Sequence, residues 1–512
     1  MELQMTGRLG LHAIALVLLV ALSALVAAPG PALAAEVSGP VWETCPAEDV
    51  GISSGALADM LERIQREDLE IHSVIIVKDD RLVLEAYVHP YDREALHNVK
   101  SVSKSVISAL VGIALREEVI GDLHETVCSY LPQYFADETD QRKLAINLYH
   151  LLTMTSGLDL DENGPISGEI FRTLDWLKAS YARPMLALPG TRFLYSTPLT
   201  HTMSAIITEA SGMSLHEFAD EHLFGPMEFG EVEWRKGPQG YNFGGAELFM
   251  RPVDMARFGY LFLNGGAWDG RQLVPADWVR ESTSNKLMGV SETRRYGYWW
   301  WLDDDGWYRA RGWGGQSISI SEELDIVIVV TAADSQAPVR LFQEYIAPWL
   351  ESTEPLEPDP GSVARLGRIV GDLAQPAPEP ISSMPATAGE ISGVKYTMEW
   401  NAAGFESVVL DFVGDGSCVF HLDTTTGEYD LAVGLDGVYR VTDVGDWGDM
   451  PAGNRRAGKG RWVDDRNFRV EWRELANPVY SQHDFTFGDG EVELVIDILP
   501  LGRQLILKGK AE

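Results

Sequence analysis

The chain has 512 residues, 45% of them hydrophobic, and a formal net charge of −35. That length is too great for one hydrophobic core and predicts two domains with additional segments, while the charge excludes nucleic acid and anionic membrane surfaces as partners. Three cysteines, Cys45, Cys128 and Cys418, allow at most one disulfide, and no Cys/His cluster has zinc spacing, so neither a metal nor another cofactor is expected.

Residues 1–34 read as an export signal: Arg8, an apolar run over 9–27, and the Ala32-Leu33-Ala34 cleavage pattern. A secreted or periplasmic protein without stable membrane anchoring is expected. The alternative is an uncleaved anchor, because the apolar run is nearly long enough to span a bilayer. Gly51-Ile52-Ser53-Ser54-Gly55 matches the G-x-S-x-G elbow of α/β-hydrolases. No strand pattern precedes it, and Ser53 or Ser54 is expected to cap a helix over 57–64. Two β runs, 73–78 and 82–87, flank Asp79-Asp80-Arg81 and predict a hairpin.

The pattern then turns helical. Ser214-Leu215-His216-Glu217 is a capping box, Gly212 closes the helix before it, and 254–263 and 275–282 supply further helices. Strands return at 307–311, 316–320 and 326–331. This order predicts an α+β domain over 46–351, its antiparallel sheet built from both chain ends around an inserted helical subdomain. Prolines 355, 358, 360, 376, 378, 380 and 385 flank a short helix over 363–373 and mark a linker at 352–390. Residues 391–512 hold about ten short alternating runs, such as Phe468-Arg469-Val470-Glu471-Trp472, which predict an antiparallel barrel or sandwich.

The helix over 100–115, KSVSKSVISALVGIAL, carries the chemistry. Val102, Val106, Ala109, Leu110 and Ile113 form one apolar stripe, and Ser101, Lys104, Ser105, Ser108 and Gly112 a second of small or polar residues. Burial on nearly all sides makes Lys104 the anomaly, since a buried lysine is costly unless paired or deprotonated. Ser101 lies three residues before it, one helical turn away, so a neutral Lys104 can take the serine proton. Neither Ser103 nor Ser105 has a lysine at that spacing. The first helical turn also offers backbone N–H groups to a developing oxyanion.

Together with 150–158 (HLLTMTSGL), Tyr195-Ser196-Thr197 and Gly312-Trp313-Gly314-Gly315-Gln316, the Ser101–Lys104 pair resembles the serine β-lactamase-related hydrolases over residues 50–350. That family includes penicillin-binding carboxypeptidases, class C β-lactamases, esterases and nylon-oligomer hydrolases. The resemblance implies a β-lactamase/transpeptidase-like fold, an acyl-enzyme on Ser101 with Lys104 as base, and Tyr195 relaying protons. It further implies an oxyanion hole from the N–H groups of Ser101 and Gln316, and substrate contacts from Trp313, Gly314, Gly315 and Thr197. Two positions depart from the family pattern. Thr197 stands where Asn is frequent, and Trp313 where Lys or His commonly meets a carboxylate; Arg309 or Arg311 are the candidate substitutes.

The Tyr195-Ser196-Thr197 segment followed by His201, and the Trp-rich run 296–301 (YGYWWW), look closest to the nylon-oligomer hydrolase and esterase branch, which implies a small ester, amide or peptide-like substrate. A β-lactamase or D-alanyl-D-alanine carboxypeptidase is one alternative, and a silent wall- or partner-binding member another. His201 is expected to pack rather than titrate, and Asp159, Asp161 and Glu162 to form a solvated loop. Most tryptophans between 299 and 307 are expected in the core. The C-terminal β domain is expected to stabilise the first or to form a lid.

Overall fold

A computed structural model describes residues 42–512, apart from 163, 351–353, 382, 415 and 446–454. The export signal expected at 1–34 lies outside the described residues. β1 (Glu43–Thr44) precedes the predicted hairpin, β2 (Ile71–Lys78) and β3 (Arg81–Tyr87). Asp79 and Asp80 make its turn with φ of 51° and 59°, the left-handed pair whose twist matches the flanking strands. Far along the chain come β4 (Trp301–Leu302), β5 (Tyr308–Gly312), β6 (Gln316–Ser321) and β7 (Ile326–Ala332). The sheet order is β1-β3-β2-β7-β6-β5-β4, so both ends of the domain meet where β2 pairs antiparallel with β7. Only the short β1–β3 pair is parallel in this sheet, a departure from the expected all-antiparallel arrangement.

Alternation along the strands decides the layers. Ile75, Val77, Ala310, Ile318, Val327 and Val329 face the inserted helices, including α2 (Val102–Arg116). Val74, Ile76, Ile328 and Val330 face α1 (Ser54–Arg66) on the opposite side. In α1 the buried Leu57, Leu61 and Ile64 recur at helical spacing, and each such side chain stabilises the packing by about 1.5–3 kcal/mol. The helix expected inside the Pro-rich linker runs over Pro360–Ala374 and adds Leu366, Ile369 and Leu373 to the same layer. Its Arg365 meets Asp59 at 2.7 Å and Glu62 at 2.6 Å on α1.

The C-terminal residues choose the barrel. Its strands are β8 (Tyr396–Met398), β9 (Phe405–Val413), β10 (Ser417–Thr424), β11 (Gly427–Gly434), β12 (Arg440–Asp443), β13 (Arg455–Trp462), β14 (Asn467–Glu474), β15 (Tyr480–Gly488), β16 (Glu491–Leu499) and β17 (Arg503–Ala511). Antiparallel pairing runs β11-β10-β9-β8-β17-β16-β15-β14-β13, and a parallel pair between β11 and β13, Val433↔Gly458, closes the circle; β12 adds to β13. Gly458 permits the seam, because a Cβ there would stand 2.4 Å from the Trp472 ring and 2.9 Å from Ala432 O. Phe420, Phe468 and Phe485 fill the interior. All three cysteines are free thiols. No helix among the described residues is long and apolar enough to cross a membrane.

Candidate active site

Ser101 sits at the N-cap of α2, but its side chain does not cap the helix. The turn before it is constrained: Lys100 has φ of 51°, Asn98 Oδ1 accepts from Lys100 N at 3.1 Å, and Ser103 Oγ donates to Lys100 O at 2.6 Å. A non-glycine residue in this conformation costs about 1–3 kcal/mol and persists only where the surroundings enforce it. The helix behind is buried from Val102 to Ala114. Gly112 allows this, since the Trp278 ring lies 2.4 Å from where its Cβ would be.

Lys104 is 1% exposed. Its Nζ lies 2.8 Å from Ser101 Oγ, 2.9 Å from Thr197 Oγ1 and 2.8 Å from Gly245 O. Burial disfavours the ammonium and lowers its pKa to about 8, while the Glu162 carboxylate pulls in the opposite direction. A neutral amine has two N–H donors and one lone pair. Thr197 Oγ1 and Gly245 O can take the donors, which leaves the lone pair facing Ser101 Oγ.

Thr197 opens α3 (Thr197–Ser211), followed by Pro198 in the first turn. It passes the interaction onward: its hydroxyl donates to Glu162 Oε1 at 2.6 Å and its N–H to Glu162 Oε2 at 2.5 Å. The loop carrying Tyr195 is pinned by Leu194 N to Met154 O at 2.9 Å and Glu162 N to Tyr195 O at 3.2 Å. The Tyr195 phenol stands close enough to the Ser101 side chain for that group to lower its pKa, but burial, the larger effect, raises it, so the phenol stays protonated. Lys104 Nζ lies 5.0 Å from the ring centroid, and the Trp301 ring packs beside it with centroids 5.4 Å apart. The structure thus brings Ser101, Lys104, Tyr195 and Thr197 together.

The stretch 313–315 is a turn between β5 and β6, at the break between the strands expected at 307–311 and 316–320, with Gly314 and Gly315 at φ of 79° and 94°. Just before it, Gly312 meets the turn that leads to Ser101: a Cβ there would stand 2.4 Å from Val99 O and 3.1 Å from Lys100 Cβ. Gln316 starts β6, held by its side chain, whose Nε2 donates to Ala332 O at 2.5 Å. Trp313 is 44% exposed. Arg309 and Arg311 do not serve as substitutes for a cation at Trp313. They pair in register with Ser319 and Ser317, on the sheet face away from α2, and both bond Asp303. A cavity of about 770 Å³ opens on that far face, lined by Arg309, Ser317, Ser319, Ile328, Val330 and Phe342.

Several other residues fall elsewhere. Ser53 caps α1 by accepting from Ala56 N at 3.2 Å. His201 is buried edge-on to Trp176, and burial lowers its pKa to about 4. Trp299, Trp300 and Trp307 are buried. Glu162 corrects the expectation of a solvated loop, because both of its oxygens turn inward to Thr197. Gly245 was not legible as a site residue; a Cβ there would stand 2.5 Å from Thr197 Cγ2 and 3.3 Å from Lys104 Nζ. Glu162→Gln is expected to lower kcat and to move the acid limb of kcat/KM to lower pH, since it removes the charge that raises the Lys104 pKa. An acid limb that stays put or moves upward would remove Glu162 from this role.

The Beta-lactamase family model matches residues 61–347. A 6-aminohexanoate-dimer hydrolase of Paenarthrobacter ureafaciens is 22% identical over 312 residues, covering 56% of this chain and 78% of the relative. An uncharacterised protein of Alkalihalophilus pseudofirmus is 22% identical over 313 residues, covering 54% and 84%. Among solved structures, a candidate 6-aminohexanoate-dimer hydrolase from Bacillus anthracis superposes with a TM-score of 0.50 at 21% identity, covering 58% of this chain and 83% of that one. The family match agrees with the resemblance carried by the four sequence stretches, and the structural likeness agrees with the fold. By the family match over more than half its length, the chain belongs to the Beta-lactamase family.

Proposed function

We propose that this chain is an exported serine hydrolase that cleaves neutral esters or small amides through an acyl-enzyme on Ser101. The observation that carries the reading is Lys104 Nζ, buried, 2.8 Å from Ser101 Oγ and shifted toward its neutral form. Lys104 takes the Ser101 proton as Oγ attacks the carbonyl carbon. The oxyanion is received by the N–H groups of Ser101 and Gln316, fixed donors at the place where charge develops. As the carbon–leaving-group bond breaks, the Tyr195 phenol gives its proton to the departing oxygen or nitrogen and regains one from the Lys104 ammonium. Water, deprotonated by the same groups, then attacks the acyl-enzyme and releases the acid and Ser101. The name of the 6-aminohexanoate-dimer hydrolase relative supports the small-amide class, and the ester class rests on the resemblance of the sequence motifs. The composition of 1–34 supports export.

Intact-mass and peptide mapping after fluorophosphonate treatment tests this. One adduct is expected, on Ser101, and the exported protein should begin at Ala35. Ser101→Ala is expected to abolish both labelling and turnover, whereas Ser53→Ala and Ser103→Ala keep most of each. An adduct on Ser53 would sink the assignment.

A further inference from the structure

Two separate segments flank the proposed reaction. Residues 98–100 lead into Ser101, and the turn 313–315 leads into Gln316. A single turn of the C-terminal barrel, between β14 and β15, touches both. Ala476 O accepts from Asn98 N at 2.8 Å. Asn477 Oδ1 accepts from Lys100 Nζ at 3.4 Å, on a lysine whose Nζ also lies 3.5 Å from Glu247 Oε1. On the other side Pro478 packs on Gly314, where an added Cβ would stand 2.8 Å from Pro478 Cβ. Leu475, Ala476 and Pro478 are buried, so this is packed structure.

The ends of the turn are fixed as well. Arg473, buried, donates to Glu70 Oε1 and to Tyr439 Oη, each at 2.9 Å, and its guanidinium lies 4.0 Å from the Tyr480 ring centroid. Farther out, Arg455 grips both oxygens of Asp92 at 2.7 and 2.9 Å. The barrel turn is therefore held to the first domain independently of its contacts at 98, 100 and 314.

We infer that the barrel turn 475–478 positions the nucleophile and the oxyanion donors, with Asn477 and Pro478 as its positioning residues. The inference rests on the reading of Ser101 as nucleophile and of Ser101 and Gln316 as donors. Its physical content is constraint. Lys100 holds a left-handed conformation just before Ser101, and a partner on its ammonium resists relaxation of that turn. Gly314, also left-handed, has no side chain to anchor it, and Pro478 occupies the space into which it would move. A misplacement of about 1 Å at such groups costs roughly 10²-fold in rate.

The test uses the full chain. The triple variant Ala476→Gly/Asn477→Gly/Pro478→Gly loosens the turn and leaves the Arg473 anchor intact. Its kcat on p-nitrophenyl acetate and its fluorophosphonate labelling rate are both expected to fall about 10- to 100-fold, with KM changed less than about 3-fold. Asn477→Ala is expected to show part of this loss, and Asn477→Asp, which keeps an acceptor for Lys100, to recover it. Unchanged kinetics would overturn the inference. A raised KM at constant kcat would also overturn it, by making the turn a substrate wall. Thermal melts identify a triple variant that does not fold, and the Asn477 pair then decides. Wild-type protein that takes no label on Ser101 would instead sink the nucleophile reading, so the two failures are distinct.

Discussion

Lys104→Arg is expected to lose roughly 10²- to 10⁴-fold in kcat/KM, the range that general-base catalysis supplies. Guanidinium cannot give up its proton at any working pH, so it cannot accept one from Ser101. The longer side chain must also fit among Ser101, Thr197 and Gly245, each already within 2.9 Å of Nζ. The pH profile is the companion test. Burial penalises the Lys104 ammonium and sets its pKa at about 8, so the base is present above that value and is lost as pH falls through it. About half of the free enzyme then carries a neutral Lys104 at pH 8 and about 1% at pH 6, an expected drop of about 50-fold in kcat/KM. Tyr195 does not contribute this limb, because its buried phenol titrates above the usual range. A Lys104→Arg enzyme with substantial activity, or an acid limb near 4, would require a different base.

The part of the site that could be read in the sequence is the part set by local geometry. Ser101 and Lys104 are three residues apart on one buried helix, so their contact follows from helical spacing alone. The hairpin at Asp79-Asp80 and the capping box at Ser214–Glu217 were legible for the same reason; both are found, each fixed by a few adjacent residues. The inward roles of Glu162 and Gly245 were not legible, because Gly245 meets Lys104, and Glu162 meets its partner Thr197, across the fold and nothing in the flanking sequence marks the inward turn. Arg309 and Arg311 show the limit of alternation without register. Period two places both on one face, but only the pairing with Ser319 and Ser317 says that this face looks away from Ser101. The barrel's closure depends on the same kind of distant fact, the meeting of Val433 with Gly458. Sandwich and barrel are equal in local pattern, and tertiary pairing separates them.

Register is also what makes the preference among substrates testable. The two arginines nearest in sequence to Trp313 are both bound to Asp303 on the far face of the sheet, and Lys100 is engaged by Glu247 and Asn477. A substrate carboxylate brought beside Trp313 meets an indole where the family commonly has a cation. Desolvating a charge without a partner is costly. Because Trp313 keeps 44% of its surface exposed, solvent screens part of that cost, and about 2–4 kcal/mol remains as a reasonable scale. At about 1.4 kcal/mol per factor of ten, this favours neutral acyl groups by roughly 30- to 10³-fold. Short-chain p-nitrophenyl esters, whose acyl groups can pack on the indole, are therefore expected to be cleaved with a far higher kcat/KM than penicillins or D-Ala-D-Ala peptides. Trp313→Lys is expected to narrow the gap, chiefly by lowering KM for the carboxylate-bearing substrates, since a new ion pair strengthens binding before and during reaction alike. Efficient penicillin hydrolysis by the wild type, with esters left untouched, would mean that another cation reaches the bound substrate and that the ester and amide reading is wrong.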